Sequence, residues 1–131
     1  MQNELQELIN YRIQQAYDTL KEVEFQIENN FLSIAVNRIY YGMFYMLLAL
    51  ALKCGFKTSK HSQLLGWFNR EFVKTEKIDR EIGKIIHKAF EDRTDSDYGI
   101  FIKFEKEEVL QKLNDMKIFL SELNKLILEG K

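Results

Sequence analysis

The chain contains no proline. An all-β fold draws on proline and glycine at its many turns, so this absence favours long helices with few breaks. There is a single cysteine, Cys54. It excludes an intrachain disulfide and a cysteine-rich zinc site, and it suits a reducing, cytoplasmic setting. Histidine is nearly as scarce, with His61 and His87 alone. An excess of one charge is missing too: 19 basic and 20 acidic residues leave a formal net charge of −1. A nucleic acid would have to meet a local basic patch rather than a basic molecule. No secretory leader is expected, because "MQNELQELIN" is polar and opens as a helix. No membrane association is expected either. The uncharged run "IYYGMFYMLLALAL" covers 14 residues between Arg38 and Lys53 and holds three tyrosines, whereas a span takes about 20 apolar residues.

What is present is apolar material at helical spacing. Hydrophobic residues make up 46% of the chain and aromatics 13%, enough for a core within 131 residues, the length of one domain. Leu5, Leu8, Ile9, Ile13, Ala16, Leu20, Val23 and Ile27 recur at three- and four-residue steps and predict a helix over 2–28. Asn29 and Asn30 break it, and Asn30 is placed to cap the next helix. That second helix, about 31–53, is apolar nearly all round and belongs in the middle of a bundle. Gly55 supplies the left-handed turn that ends it, and Thr58 or Ser59 begins a short third helix, about 60–73. A fourth is predicted over about 78–92, with Ile78, Ile82, Ile85, Ile86, Ala89 and Phe90 as its apolar face. The last, from Phe104 or Glu105 to Leu128, carries a heptad-like seam of Val109, Leu113, Met116, Leu120, Leu123 and Ile127. The expected fold is all-α: one domain over 1–131, an up-and-down bundle of four long helices plus a short one.

Three polar islands interrupt this pattern. In "NRIYYGMFY", Arg38, Tyr41 and Tyr45 lie at i, i+3 and i+7 on one face of the most apolar helix. Gly42 beside them clears space or admits another helix. An arginine there needs a partner, and a structural ion pair with tyrosines packed around it would satisfy it as well as a ligand would. In "KTSKHSQ", Lys57, Lys60 and His61 gather at a helix start, where free N–H groups and lysines suit a phosphate. A capped, solvated loop accounts for the same residues. In "EDRTDSDYG", Arg93, Asp97 and Tyr98 crowd together at what reads as the end of the fourth helix. Asp92, Asp95 and Asp97 do not follow a calcium-loop spacing, so no metal site is expected. No cofactor is expected either. His87, between apolar turns, reads as a satisfied structural histidine, and no nucleophilic triad is evident around Cys54.

Taken in order, these islands resemble the HEPN domain in its small stand-alone prokaryotic form. The resemblance rests on an Arg-x-Tyr-Tyr-x-x-Phe run (Arg38, Tyr40, Tyr41, Phe44), a Lys-His-Ser helix start (Lys60, His61, Ser62) and an Arg-x-x-x-Asp-Tyr run (Arg93, Asp97, Tyr98). It covers roughly residues 5–125. It implies a helical bundle, usually a homodimer, that deals with nucleotide or RNA. Many such proteins are metal-independent endoribonucleases, marked by an arginine followed four to six residues later by a histidine. Others pair with a minimal nucleotidyltransferase in a toxin–antitoxin-type couple. Here Tyr98 occupies the histidine position of the shortest spacing, and no histidine follows His87. Cleaving RNA without a metal needs an acid and a base with pKa values near neutrality; histidine meets that need and tyrosine, near 10, does so poorly.

The resemblance therefore yields three expectations. The first is a nucleotide- or RNA-binding module that partners a minimal nucleotidyltransferase. The second is an endoribonuclease using Arg93 and His61. The third is a structural dimer without a ligand. The expected binding residues are Arg38, Tyr41, Lys60, His61, Arg93, Asp97 and Tyr98, with Asp97 pairing Arg38 or orienting Arg93.

Overall fold

The computed structural model describes residues 2–97 and 103–129, with the side chains of 2 and 94–97 outside that description. The described residues form α1 (Gln2–Glu28), α2 (Leu32–Lys53), α3 (His61–Phe68), α4 (Arg80–Asp97) and α5 (Lys106–Glu129). No strand occurs among them. α3 runs on through a π turn over Asn69–Val73, closed by the Lys74 N–H donating to the Asn69 carbonyl. The fold is the all-α bundle expected, and α2 is its axis, packing against α1, α3, α4 and α5.

The apolar pattern of α2 explains that position. Its buried residues, from Ala35 and Val36 through Tyr40 and Phe44 to Leu50 and Ala51, lie on every side of the helix. α2 is long and apolar enough to cross a membrane, but 67% of its apolar window is buried against its neighbours. Gly42 is where three helices crowd. A Cβ there would meet the terminal methyl of Met116 from α5 and the methyl of Thr19 from α1, so glycine leaves these two side chains their place over α2. The α5 seam is buried as its spacing predicted, from Val109 to Ile127. Lys53 at the end of α2 donates to the Ile127 carbonyl of α5, which brings the C-terminal ends of these two helices together.

Four expectations are corrected. Leu5 and Leu8, assigned to the α1 core stripe, are each 42% exposed. α1 has 27 residues and α2 has 22; at about 1.5 Å per residue α1 is longer by about 7.5 Å, a little over one turn. Asn30 does not cap α2. It ends α1 in the left-handed conformation at φ 62, and Phe31 holds the N-cap position with no side-chain cap. Neither Thr58 nor Ser59 occupies the N-cap of α3; Lys60 does, with its N–H donating to Thr58 Oγ1. Finally, α4 does not stop near residue 92. It continues to Asp97, so Arg93 sits inside the helix rather than at its end. The acid that suggested a break, Asp92, is buried and bound to Lys88 and Lys112 at 3.3 and 2.7 Å. Its charge is neutralised, and neither proline nor glycine stands between Asp92 and Asp97.

Candidate functional site

The polar islands meet along α2. Its residues Tyr40, Tyr41 and Phe44 form an aromatic platform because Phe44 lies four residues after Tyr40 and three after Tyr41, the spacings at which helix side chains adjoin. Tyr40 is 0% exposed, while Tyr41 is half-buried. His61, the first residue of α3, lies on this platform. Its ring stacks on Phe44 at 4.0 Å between centroids and 9° between planes, and it meets the edge of Tyr41 at 5.9 Å. Its Nδ1 is 2.7 Å from the Tyr40 hydroxyl.

Arg93 of α4 closes the corner. Its guanidinium carbon stands 5.4 Å from the Tyr40 ring centre, 5.9 Å from Tyr41 and 5.2 Å from Phe90. These distances are cation–π contacts, strengthened where water is excluded. Phe90 precedes Arg93 by three residues, one turn back on the same helix, and its ring also packs on Tyr40 at 5.5 Å. Arg93 and His61, from different helices, thus stand over the same two tyrosines.

The electrostatics follow from burial. The Tyr40 hydroxyl is pushed well above its ordinary value of 10.0, because desolvation penalises the phenolate more than Arg93 favours it, and Tyr41 adds to the rise. The His61 imidazole is held below its ordinary 6.5, first by burial and then by the Arg93 charge. At neutral pH the corner therefore holds a phenol, a neutral imidazole and a guanidinium.

Arg38 also approaches Tyr41: its guanidinium is 5.8 Å from the Tyr41 ring and 6.0 Å from Tyr45, so two arginines stand within reach of Tyr41. Arg38 pairs with Glu22 of α1 at 3.4 Å; the expected role of Asp97, pairing Arg38 or orienting Arg93, falls on a side chain outside the described residues. Lys60 is exposed at the N-cap of α3, next to His61. Asp97 is the last residue of α4; its side chain, like the whole of Tyr98, lies outside the described residues. His87 is mostly exposed and faces Glu91, one helical turn on. Arg38, Tyr41, His61 and Arg93 are therefore brought together.

Sequence reasoning left Tyr40, Phe44 and Phe90 out of the site. Their spacing carried a signal: Tyr40 and Phe44 are at i and i+4, and Phe90 and Arg93 at i and i+3. What spacing could not give is which ring faces which helix. A cleft of about 570 Å³ between α3 and α4 adjoins the corner, with Ser62 and Phe90 among its walls and Arg80, Lys84 and Lys88 along its rim.

Comparison with known proteins gives this arrangement a context. The family described as "HEPN domain" matches residues 9–126. A "UPF0332 protein" from Thermotoga maritima is 42% identical over 125 residues, covering 95% of both chains. "Putative toxin MJ0142" from Methanocaldococcus jannaschii is 36% identical over 116 residues, covering 88% of this chain and 79% of its own. "Putative toxin MJ0605" from the same organism is 27% identical over 129 residues, covering 98% and 96%.

Proposed function

Because this chain belongs to the HEPN domain family, we propose that it is a toxin-like HEPN module that binds nucleotide or RNA at the Arg93–His61 corner. The observation that carries this reading is the placing of Arg93 and His61 over one aromatic platform. A guanidinium offers a planar fork of donors that suits a phosphate. The half-buried Tyr41 ring and the adjoining cleft offer surface for a base, a stacking contact that in single-strand binders is worth roughly 1–3 kcal/mol. The toxin part rests on the names of the two archaeal relatives. In this reading the protein is a cytoplasmic homodimer and the partner of a minimal nucleotidyltransferase in a toxin–antitoxin-type pair.

The test is binding of a labelled single-stranded RNA in EDTA, with RNA integrity followed in the same samples. Arg93→Ala and His61→Ala are expected to lose binding while remaining folded. Unchanged binding in Arg93→Ala would remove the corner from the account. Cleavage by the wild type that vanishes in both variants would replace the binding reading with a metal-independent endoribonuclease. Partnership is tested by co-expression with the adjacent nucleotidyltransferase, if the gene has such a neighbour, and co-purification of the two.

A further inference from the structure

Tyr40 is the most deeply placed polar group of the corner, and the proposed function gives it no role. Its hydroxyl is fully buried, and among the described residues it has one hydrogen-bond partner, His61 Nδ1 at 2.7 Å. A buried O–H that does not donate forfeits a hydrogen bond and keeps the full cost of its desolvation. Here the imidazole nitrogen is the acceptor within reach. We propose that Tyr40 is a positioning residue: it donates to Nδ1 of His61, places the imidazole proton on Nε2, and so makes His61 a hydrogen-bond donor towards a phosphoryl oxygen. This rests on the reading of the corner as the binding site.

The alternative tautomer would have Nδ1–H donate to the tyrosine oxygen, leaving Nε2 with a lone pair to act as a base. It would strand the buried phenolic proton. Burial also keeps the Tyr40 proton in place, since the phenolate is disfavoured well beyond its ordinary range. Among the described residues, the titratable and charged groups facing His61 are Tyr40 and Tyr41 from α2 and Arg93 from α4. Burial, and after it the Arg93 charge, disfavours an imidazolium, so the neutral ring with an outward N–H is the form the corner selects.

The ligand class follows from what the corner offers. Arg93 donates only and His61 Nε2–H donates only, and Phe44, packed flat on the imidazole, fixes the ring's plane. Two donors of this kind suit an oxyanion, the phosphate of a nucleotide or of an RNA backbone. They do not suit a base edge, which mixes donors and acceptors. The same tautomer withholds the lone pair that removal of a 2′-hydroxyl proton requires.

The tautomer can be read directly. Long-range ¹H–¹⁵N correlation of the full chain at pH 7.5 should show His61 with a protonated Nε2 and an unprotonated, hydrogen-bonded Nδ1. In Tyr40→Phe the His61 titration midpoint should rise, because a donor that favoured the neutral ring has gone. A protonated Nδ1 in the wild type would overturn the proposal, and so would a midpoint that falls in Tyr40→Phe. If Tyr40→Phe fails to fold, the wild-type spectrum decides alone. The ligand class is tested with AMP and adenosine as probes. AMP is expected to bind at least tenfold more tightly; equal binding overturns the phosphate assignment. His61→Gln, whose amide can donate from a similar position, should stay within about threefold of wild type for AMP, while His61→Ala loses about tenfold. A glutamine variant as weak as the alanine one overturns the donor role. RNA binding that survives Arg93→Ala would instead defeat the reading of the corner as a site, and the tautomer result would show separately whether Tyr40 donates.

Discussion

Two arginines stand within reach of the same tyrosine, and their surroundings differ. Arg38 projects from α2 with its side chain 28% exposed and reaches Glu22 of α1, itself 51% exposed. Arg93 projects from α4 onto Tyr40, Tyr41 and Phe90 beside a half-buried histidine. The first is an arginine stacked on tyrosines and paired at the surface, where such a pair contributes on the order of 0–1 kcal/mol. The second is a charge held over an aromatic wall, next to an imidazole whose protonation burial first, and then this charge, disfavours. Proximity to Tyr41 is common to both, so proximity alone does not make a site. The distinguishing feature is what else stands within reach of the guanidinium.

The strongest challenge to this contrast removes the platform that both arginines share. Gly42→Leu would push a side chain into Met116 and Thr19, and overpacking of this kind costs typically about 1–3 kcal/mol. The urea midpoint should drop accordingly, and RNA binding should weaken along with it. A stable Gly42→Leu protein would show that the three helices do not meet as tightly as described. Next in size is the pair of alanine variants. Arg93→Ala should weaken RNA binding about 10- to 100-fold, the loss expected for charge-assisted hydrogen bonds of roughly 1.5–3 kcal/mol, measured by fluorescence anisotropy. Arg38→Ala should change it less than about threefold. Equal losses would erase the difference between the two regions.

A smaller effect concerns His61. Its midpoint lies below the ordinary 6.5 because of burial and then Arg93. Arg93→Gln should raise that midpoint in an NMR titration, and Arg38→Gln should leave it in place. The sign for stability follows. The folded state resists protonating His61, so its contribution is complete above the ordinary value of 6.5 and is lost as pH falls from there through the lower folded value. The urea midpoint should fall across that window, and His61→Gln should flatten that part of the dependence. Smallest of all is Glu22→Gln, which removes the partner of Arg38. With both groups partly exposed the expected change is at most about 0.5 kcal/mol, and RNA binding should not move. A larger effect of either kind would mean that the Arg38 pair holds more than itself.

Much of the architecture is legible in the sequence. Apolar residues at three- and four-residue steps set out α1, α2 and α5, and the all-round apolar character of α2 identified the axis. The misreadings have physical causes. Leu5 and Leu8 match the helical period but have too little of the bundle around them to be covered. The fourth helix looked finished near residue 92 because acids accumulate there. Asp92 instead finds Lys112 on α5, a partner that no local pattern reveals. The sequence brought Arg38, Tyr41, His61 and Arg93 forward as candidates, but it did not show that Arg38 reaches Glu22 on α1, and it passed over Tyr40, Phe44 and Phe90 as site residues.

The sequence by itself determined the helices, their order, the central place of α2 and the family, because periodicity and short motifs are local properties of the chain. Tertiary structure decided which side chains face one another: Arg93 and His61 over the tyrosines, Arg38 towards Glu22, and the Tyr40 hydroxyl on Nδ1 of His61. Those pairings depend on how α1, α3 and α4 are rotated about α2. That rotation is set by close packing at positions such as Gly42, where neighbouring helices exclude one another's volume, and no spacing along a single helix encodes it.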